Sequence, residues 1–124
     1  VKLKVSGAFH SPLVERAADR LRPAIESIRF HDPIAPFMST VTAHVEPATR
    51  FASILVEQLT APVKFTQAAR ELVSDGVTTF VEVGPGKVLT GLIKRIAPDA
   101  TLIPADDPAI VERVISIQTE VTSA

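Results

Sequence analysis

Cysteine is absent from the 124 residues. Disulfides, thiol catalysis and cysteine-ligated metals are thereby excluded. Neither sign of charge dominates: 13 Lys and Arg stand against 14 Asp and Glu, a net charge of −1. A global electrostatic grip on nucleic acid is excluded, although a local basic patch is not. No apolar run approaches the ~20 residues of a membrane span, and no signal-peptide pattern opens the chain. The three histidines, at 10, 31 and 44, lack metal-ligand spacing. Internal repeats and low-complexity segments are missing too. What is present is apolar: 46% hydrophobic residues against 22% charged. That balance excludes disorder and supports a buried core. The length suits one domain, or a piece of a larger one.

Residues 1–5 alternate like a short strand, with Val1, Leu3 and Val5 on one face. A strand with nothing before it suggests a chain cut from something longer. Ser11-Pro12 reads as a helix start, serine at the N-cap and proline at the first helical position. Val14, Ala17, Ala18, Leu21, Ile25 and Ile28 recur at helical spacing. Pro23 should kink or divide that helix, because it lacks an N–H and crowds the carbonyl of Asp19. A strand is expected over 35–41, then a loop that exposes His44. Phe51, Ile54, Leu55 and Leu59 define a helix face, ended by Thr60-Ala61-Pro62. A further helix is expected over 63–74, stopped by Asp75-Gly76.

Residues 77–83 (VTTFVEV) carry the strongest strand signal, rich in β-branched residues and bounded by glycine. Gly84-Pro85-Gly86 turns into a helix over 87–96, with Val88, Leu89, Leu92, Ile93 and Ile96 expected inward. A short strand over 100–104 follows. Asp107-Pro108 caps a last helix, with Ile110, Val111, Val114 and Ile115 on one face. Residues 119–124 read as a tail. Strands separated by helices predict an α/β fold with a mostly parallel sheet flanked by helices.

Three features invite a chemical reading. The Gly84-Pro85-Gly86-Lys87 turn feeds a helix N-terminus, where backbone N–H groups can bind phosphate. Its spacing fails both familiar patterns: Leu89 stands where the dinucleotide motif needs its third glycine, and Val81 and Val88 break the Walker motif. His10 lies in a turn leading into a helix, a common ligand position in α/β proteins. Gly7 and Ala8 leave space beside it and Phe9 supplies an apolar wall. Histidine is the commonest general acid/base, but a lone histidine is also often structural. His31 and His44 sit in polar loops and are expected in solvent. Lys87, Lys94 and Arg95 form either a solvated face, the last two offsetting the helix macrodipole, or a basic docking patch.

Four stretches together carry a resemblance: GAFHSPL at 7–13, LRPAIESI at 21–28, LVEQLTAPVKF at 55–65 and VEVGPGKVLTGLIKRI at 81–96. Over about residues 1–118 the chain resembles the C-terminal part of the malonyl-CoA:acyl carrier protein transacylases, and is similar to the acyltransferase domains of polyketide synthases. The resemblance implies an α/β-hydrolase-like large subdomain and a ferredoxin-like small one. Residues 1–6 would be a strand returning from the small subdomain, and 7–118 part of the large one. It implies a serine in a GxSxG elbow that takes malonyl from coenzyme A, a histidine that activates it, and transfer to the phosphopantetheine thiol of acyl carrier protein. That is ping-pong covalent catalysis. His10 matches the family histidine. Gln58 matches the residue whose backbone carbonyl orients it. Phe9, preceding the histidine, matches malonyl-selective members. Lys94 and Arg95 become candidates for docking the acidic carrier protein. No cofactor is implied beyond these substrates, nor any nucleic-acid or membrane partner, and a cytoplasmic setting is.

The departures are as informative. None of the eight serines has glycines two residues to either side. The family's malonyl-binding arginine and its oxyanion-hole segment would lie upstream of residue 1. Thr40 stands where members often have asparagine. The chain is thus expected to supply the histidine half of a site and to be inactive alone, needing the N-terminal portion as partner. Two rivals are a stand-alone binding module gripping phosphate at the 84–87 turn, and a non-catalytic domain that docks carrier protein.

Overall fold

The computed structural model describes residues 7–110, 112, 114 and 115. The expected strand at 1–5, the return-strand segment 1–6, Val111 and the 119–124 tail lie outside the described residues. The chain divides into two compact units, one up to Glu71 and one from Leu72 onward.

In the first unit, a 3-10 turn at Pro12–Val14 leads into helix α1, Glu15–Glu26. Ser11 is extended, with φ −144° and ψ 161°, as a residue before proline prefers. Its hydroxyl does not cap the helix as expected. It donates backward to the Ala8 carbonyl at 2.6 Å, stabilising the preceding turn instead. Pro23 is carried inside α1 without dividing it. It stands among the last four residues, so only the bond to Asp19 is lost, and Ser27 N–H still reaches the Pro23 carbonyl at 3.2 Å.

No strand forms over 35–41. Residues 37–46 close on themselves: Glu46 N–H donates to Phe37 O at 2.9 Å, Ser39 N–H to His44 O at 3.0 Å, and Ala43 N–H to Ser39 O at 2.8 Å. One antiparallel bridge, Met38 to Val45, is all the pairing that results. Donors claimed by so tight a loop are not available to a sheet. The fully buried Ser39 accepts the Val41 N–H on its Oγ at 3.1 Å, which keeps that buried polar pair satisfied.

A 3-10 turn at Ala48–Arg50 opens helix α2, Phe51–Glu57, which packs on α1. Ile54 is buried as its spacing predicts, but the second buried residue is Val56. Leu55 and Leu59 are only half-buried. Phe51 meets Phe30 and Phe37 edge to face, with centroids 6.0 and 4.9 Å apart, contacts worth about 0.5–1.5 kcal/mol each beyond burial. Helix α3, Phe65–Ser74, begins two residues later than expected and buries Ala68 and Ala69.

The second unit begins in the last turn of α3, at Leu72. Gly76 takes φ +91°, with its N–H on Val73 O and the Val77 N–H on Leu72 O. This is the left-handed helix stop that the sequence predicts. Strand β1 (Thr79–Val83), helix α4 (Val88–Ile96) and strand β2 (Thr101–Ala105) then form a β-α-β unit. The strands are parallel and in register from Thr79↔Thr101 to Val83↔Ala105. Asp107 caps the following helical residues 108–110 through its Oδ1, which accepts the Ala109 N–H at 2.9 Å.

The α/β class and the parallel pairing agree with expectation, on two strands among the described residues. The inward face of α4 does not agree. Of its five candidates only Ile93 is buried, while Val88, Leu89 and Leu92 are exposed. Two strands are too narrow to cover the whole apolar stripe of a helix. Val81 and Val83 on β1 are exposed for the same reason. Ile115, expected on the apolar face of the last helix, is likewise exposed.

Candidate active site

His10 follows Phe9 in the turn before α1, at φ +58°. The left-handed region is uncommon for a residue with a side chain and costs roughly 1–2 kcal/mol. The residue stands between the Ala8 carbonyl, which accepts from Ser11 Oγ, and the extended Ser11 that precedes Pro12. Such strain concentrates at functional sites.

The turn aims the imidazole across the unit. His10 Nδ1 lies 2.7 Å from the backbone carbonyl of Gln58, 48 residues away. A carbonyl only accepts, so Nδ1 carries the proton in this contact. In the neutral ring Nε2 is then the lone-pair nitrogen, ready to take a proton. Gln58 is the C-cap of α2, where helix carbonyls lack partners along the helix. The Gln58 side chain takes no part.

Phe9 is 64% exposed, so it is not a core residue of the described chain. Its ring lies against Gly7, where an added Cβ would stand 2.9 Å from the ring. A side chain at position 7 would make the exposed ring shift. His31 is exposed and lines a shallow open cleft with Arg29 and Asp32. His44 is exposed, 3.9 Å from a Glu71 carboxylate oxygen. Thr40 acts through its backbone: its carbonyl accepts the Lys64 N–H at 2.7 Å. Lys94 and Arg95 occupy the last turn of α4, both exposed and without an ion pair among the described residues.

The 84–87 turn is already furnished with an anion. The Glu82 carboxylate reaches from β1 to the start of α4, accepting the Leu89 N–H at 3.0 Å and the Thr90 N–H at 2.7 Å. Hydrogen bonds from Thr90, side chain first and then backbone, with Leu89 and Val88 behind them, hold its carboxyl below the ordinary glutamate value. Lys87 turns to Asp106, 3.7 Å away. A phosphate at this helix start would have to displace or face a carboxylate, which weighs against the binding-module alternative. Glu82 caps α4, a role not read from the sequence. Its one signal is an acid among the apolar residues of β1, seven and eight residues before the N–H groups it accepts.

The lowered value has a testable consequence. A carboxyl depressed in the folded state stabilises above its unfolded value, about 4.3 for glutamate, and that stability is lost as pH falls through the folded value. The urea midpoint of Glu82→Gln should lie below that of the parent at neutral pH, and the gap should close with acidification below about pH 4. A gap unchanged down to about pH 2.5 would show that the charge of Glu82 is not what holds α4.

No group of three His, Asp or Glu side chains is placed to hold a metal among the described residues. No described helix is long and apolar enough to cross a membrane.

The acyl transferase domain family matches residues 2–119. The malonyl CoA-acyl carrier protein transacylase of Bacillus subtilis is 41% identical over 122 residues, covering 96% of this chain and 37% of the relative. The polyketide biosynthesis protein PksE of the same organism is 41% identical over 111 residues, covering 87% of this chain and 14% of that protein. The crystal structure of acyl-carrier-protein-S-malonyltransferase from Bartonella henselae superimposes with a TM-score of 0.86 at 33% identity, covering 93% of this chain and 37% of that one. A type II polyketide synthase acyl carrier protein in complex with its malonyl-transacylase gives a TM-score of 0.80 at 35% identity, covering 88% and 36%. The chain thus spans a little over a third of the malonyl transacylases that it matches.

Proposed function

Because the chain belongs to the acyl transferase domain family, we propose that it supplies the histidine half of a malonyl-CoA:acyl carrier protein transacylase site. The observation that carries this reading is the 2.7 Å contact between His10 Nδ1 and the Gln58 carbonyl. It leaves Nε2 as the base. A serine from the N-terminal portion of the enzyme gives its proton to Nε2 as its Oγ attacks the malonyl thioester. The tetrahedral intermediate collapses, the C–S bond breaks, and coenzyme A leaves as the thiol with the proton from Nε2. The phosphopantetheine thiol of acyl carrier protein then gives its proton to Nε2 and attacks the malonyl ester. Serine leaves with that proton, and the site is restored. Two easier steps replace one hard one.

A neutral carbonyl behind the histidine suits this substrate. An aspartate there, as in the Ser-His-Asp arrangement, would place a second negative charge near the malonyl carboxylate. The chemistry requires no resident cofactor. Residues 7–118 belong to the α/β-hydrolase-like large subdomain, whose other strands and helices cover Val81, Val83, Val88, Leu89 and Leu92. Lys94 and Arg95, without an ion pair among the described residues, offer two cations to an acidic carrier protein, a contact that acts mainly on association rate. Such an enzyme works in the cytoplasm.

The test is labelled malonyl-CoA, offered to the complete protein and to the 124-residue chain alone. The complete protein should form a malonyl ester and pass it to carrier protein, and the isolated chain should form none. A stable adduct on a serine of this chain, or no transfer by the complete protein, overturns the reading. The Glu82 carboxylate at the 84–87 turn disfavours phosphate binding there, and transfer by the complete protein would eliminate the non-catalytic docking role.

Phe9 sets substrate choice in this reading. A methyl on the malonyl α-carbon needs space, and a phenyl ring beside His10 fills it. Phe9→Ser in the complete enzyme should move the kcat/KM ratio toward methylmalonyl-CoA by about tenfold or more, within the range one methyl contact or clash commands. Equal losses for both substrates would make Phe9 a packing residue.

A further inference from the structure

In an α-helix the carbonyl of residue i accepts from the N–H of residue i+4. For Gln58 that residue is Pro62, which has no N–H. Gln58 keeps helical dihedrals, φ −56° and ψ −26°, so its carbonyl still points where such a donor would stand. The intervening donors are used elsewhere. Leu59 N–H goes to Val56 O at 3.3 Å, and both Thr60 and Ala61 N–H go to Glu57 O, at 3.0 and 2.9 Å. Past the proline, Lys64 N–H goes to Thr40 O at 2.7 Å. Among the described residues Gln58 O is left with one partner, His10 Nδ1.

The ring of Pro62 is exposed, so packing within the described chain does not explain it. Nor does the need to end a helix. Gly76 ends α3 by turning left-handed, and a glycine at 62 could serve in the same way, but it would bring an N–H within reach of Gln58 O. Proline at i+4 stops the helix and withholds the donor at once. We infer that Pro62 is a positioning residue for the catalytic histidine: lacking an N–H, it reserves the Gln58 carbonyl for His10 Nδ1–H and so holds the imidazole with Nε2 unprotonated. This rests on the Ser/His reading above. A carbonyl has two lone pairs, so a new donor at 62 shares the acceptor, and the effect is graded.

The test uses the complete enzyme with two replacements at 62. Pro62→Ala adds an N–H. Lactic acid at the same position has an ester oxygen there, and so lacks both the ring and the N–H. The readouts are kcat, KM for malonyl-CoA, and the tautomer of His10 by imidazole ¹⁵N NMR. Pro62→Ala should lower kcat about 2- to 10-fold, the worth of one weakened hydrogen bond, with KM unchanged and more of the Nε2-protonated tautomer. The lactic acid protein should match the parent in all three. An unchanged tautomer in Pro62→Ala overturns the inference, as does equal loss in both proteins, which would assign the role to the ring. Should Pro62→Ala not fold, the lactic acid protein decides alone, because the inference requires it to keep the parental tautomer. His10→Ala run alongside separates the two claims. Full activity there removes the catalytic reading, whereas inactivity together with a parental Pro62→Ala removes only the role of Pro62.

Discussion

His10→Ala in the complete enzyme is expected to lower kcat by about two to four orders of magnitude, the range for a lost general base. The KM for malonyl-CoA should change little, since in the proposed mechanism the imidazole acts on the serine proton and not on coenzyme A. Stability should move by no more than about 1–2 kcal/mol, because the replacement loses one exposed hydrogen bond and keeps the left-handed backbone. His10→Gly separates the two effects further: it should be as inactive as the alanine variant, yet more stable, since glycine carries no penalty at φ +58°. Gln58→Ala should leave turnover within about twofold, as the contact is made by the backbone. Steady-state kinetics and urea unfolding on the four proteins check the set. A large loss in Gln58→Ala with folding intact would move the orienting role from the carbonyl to the side chain.

Ile54→Ala is expected to destabilise by about 2–5 kcal/mol, as for other buried large-to-small changes. Ile54 is 4% exposed on α2, the helix that packs on α1 and ends by presenting the Gln58 carbonyl. Loosening α2 removes the support of the histidine's acceptor as well as core packing. Ile54→Val, which removes one methylene, should cost only about 0.5–1.5 kcal/mol. Urea unfolding gives both values. If the alanine variant costs less than about 1 kcal/mol, α2 is not a structural support of this unit.

Features whose signals and consequences lie close together in the chain were determined by the sequence itself. Gly76 stops α3, Asp107 caps the helical turn after β2, and the β-branched run before Gly84 forms β1. The first depends on one residue's dihedral freedom, the second on a side chain reaching a backbone group two residues away, and the third on the strand preference of a run of neighbours. The family, too, was legible, because long motifs such as VEVGPGKVLTGLIKRI survive in the letters. Gln58 as the partner of His10 was legible only through that resemblance, since no periodicity links residues 48 positions apart. The rest was decided by tertiary structure. A plausible strand at 35–41 gave way to a loop because partners within residues 37–46 took its donors first. The apolar face of α4 buries only Ile93, because burial depends on how many strands lie beneath a helix and not on the helix's own pattern. Glu82 became a helix cap because the fold of the turn brings it to Leu89 and Thr90. His10 is left-handed in a turn that the Ser11–Ala8 hydrogen bond closes. Local chemistry sets where elements stop and start, but which faces are covered and which carbonyl meets the histidine depend on residues far apart in the chain.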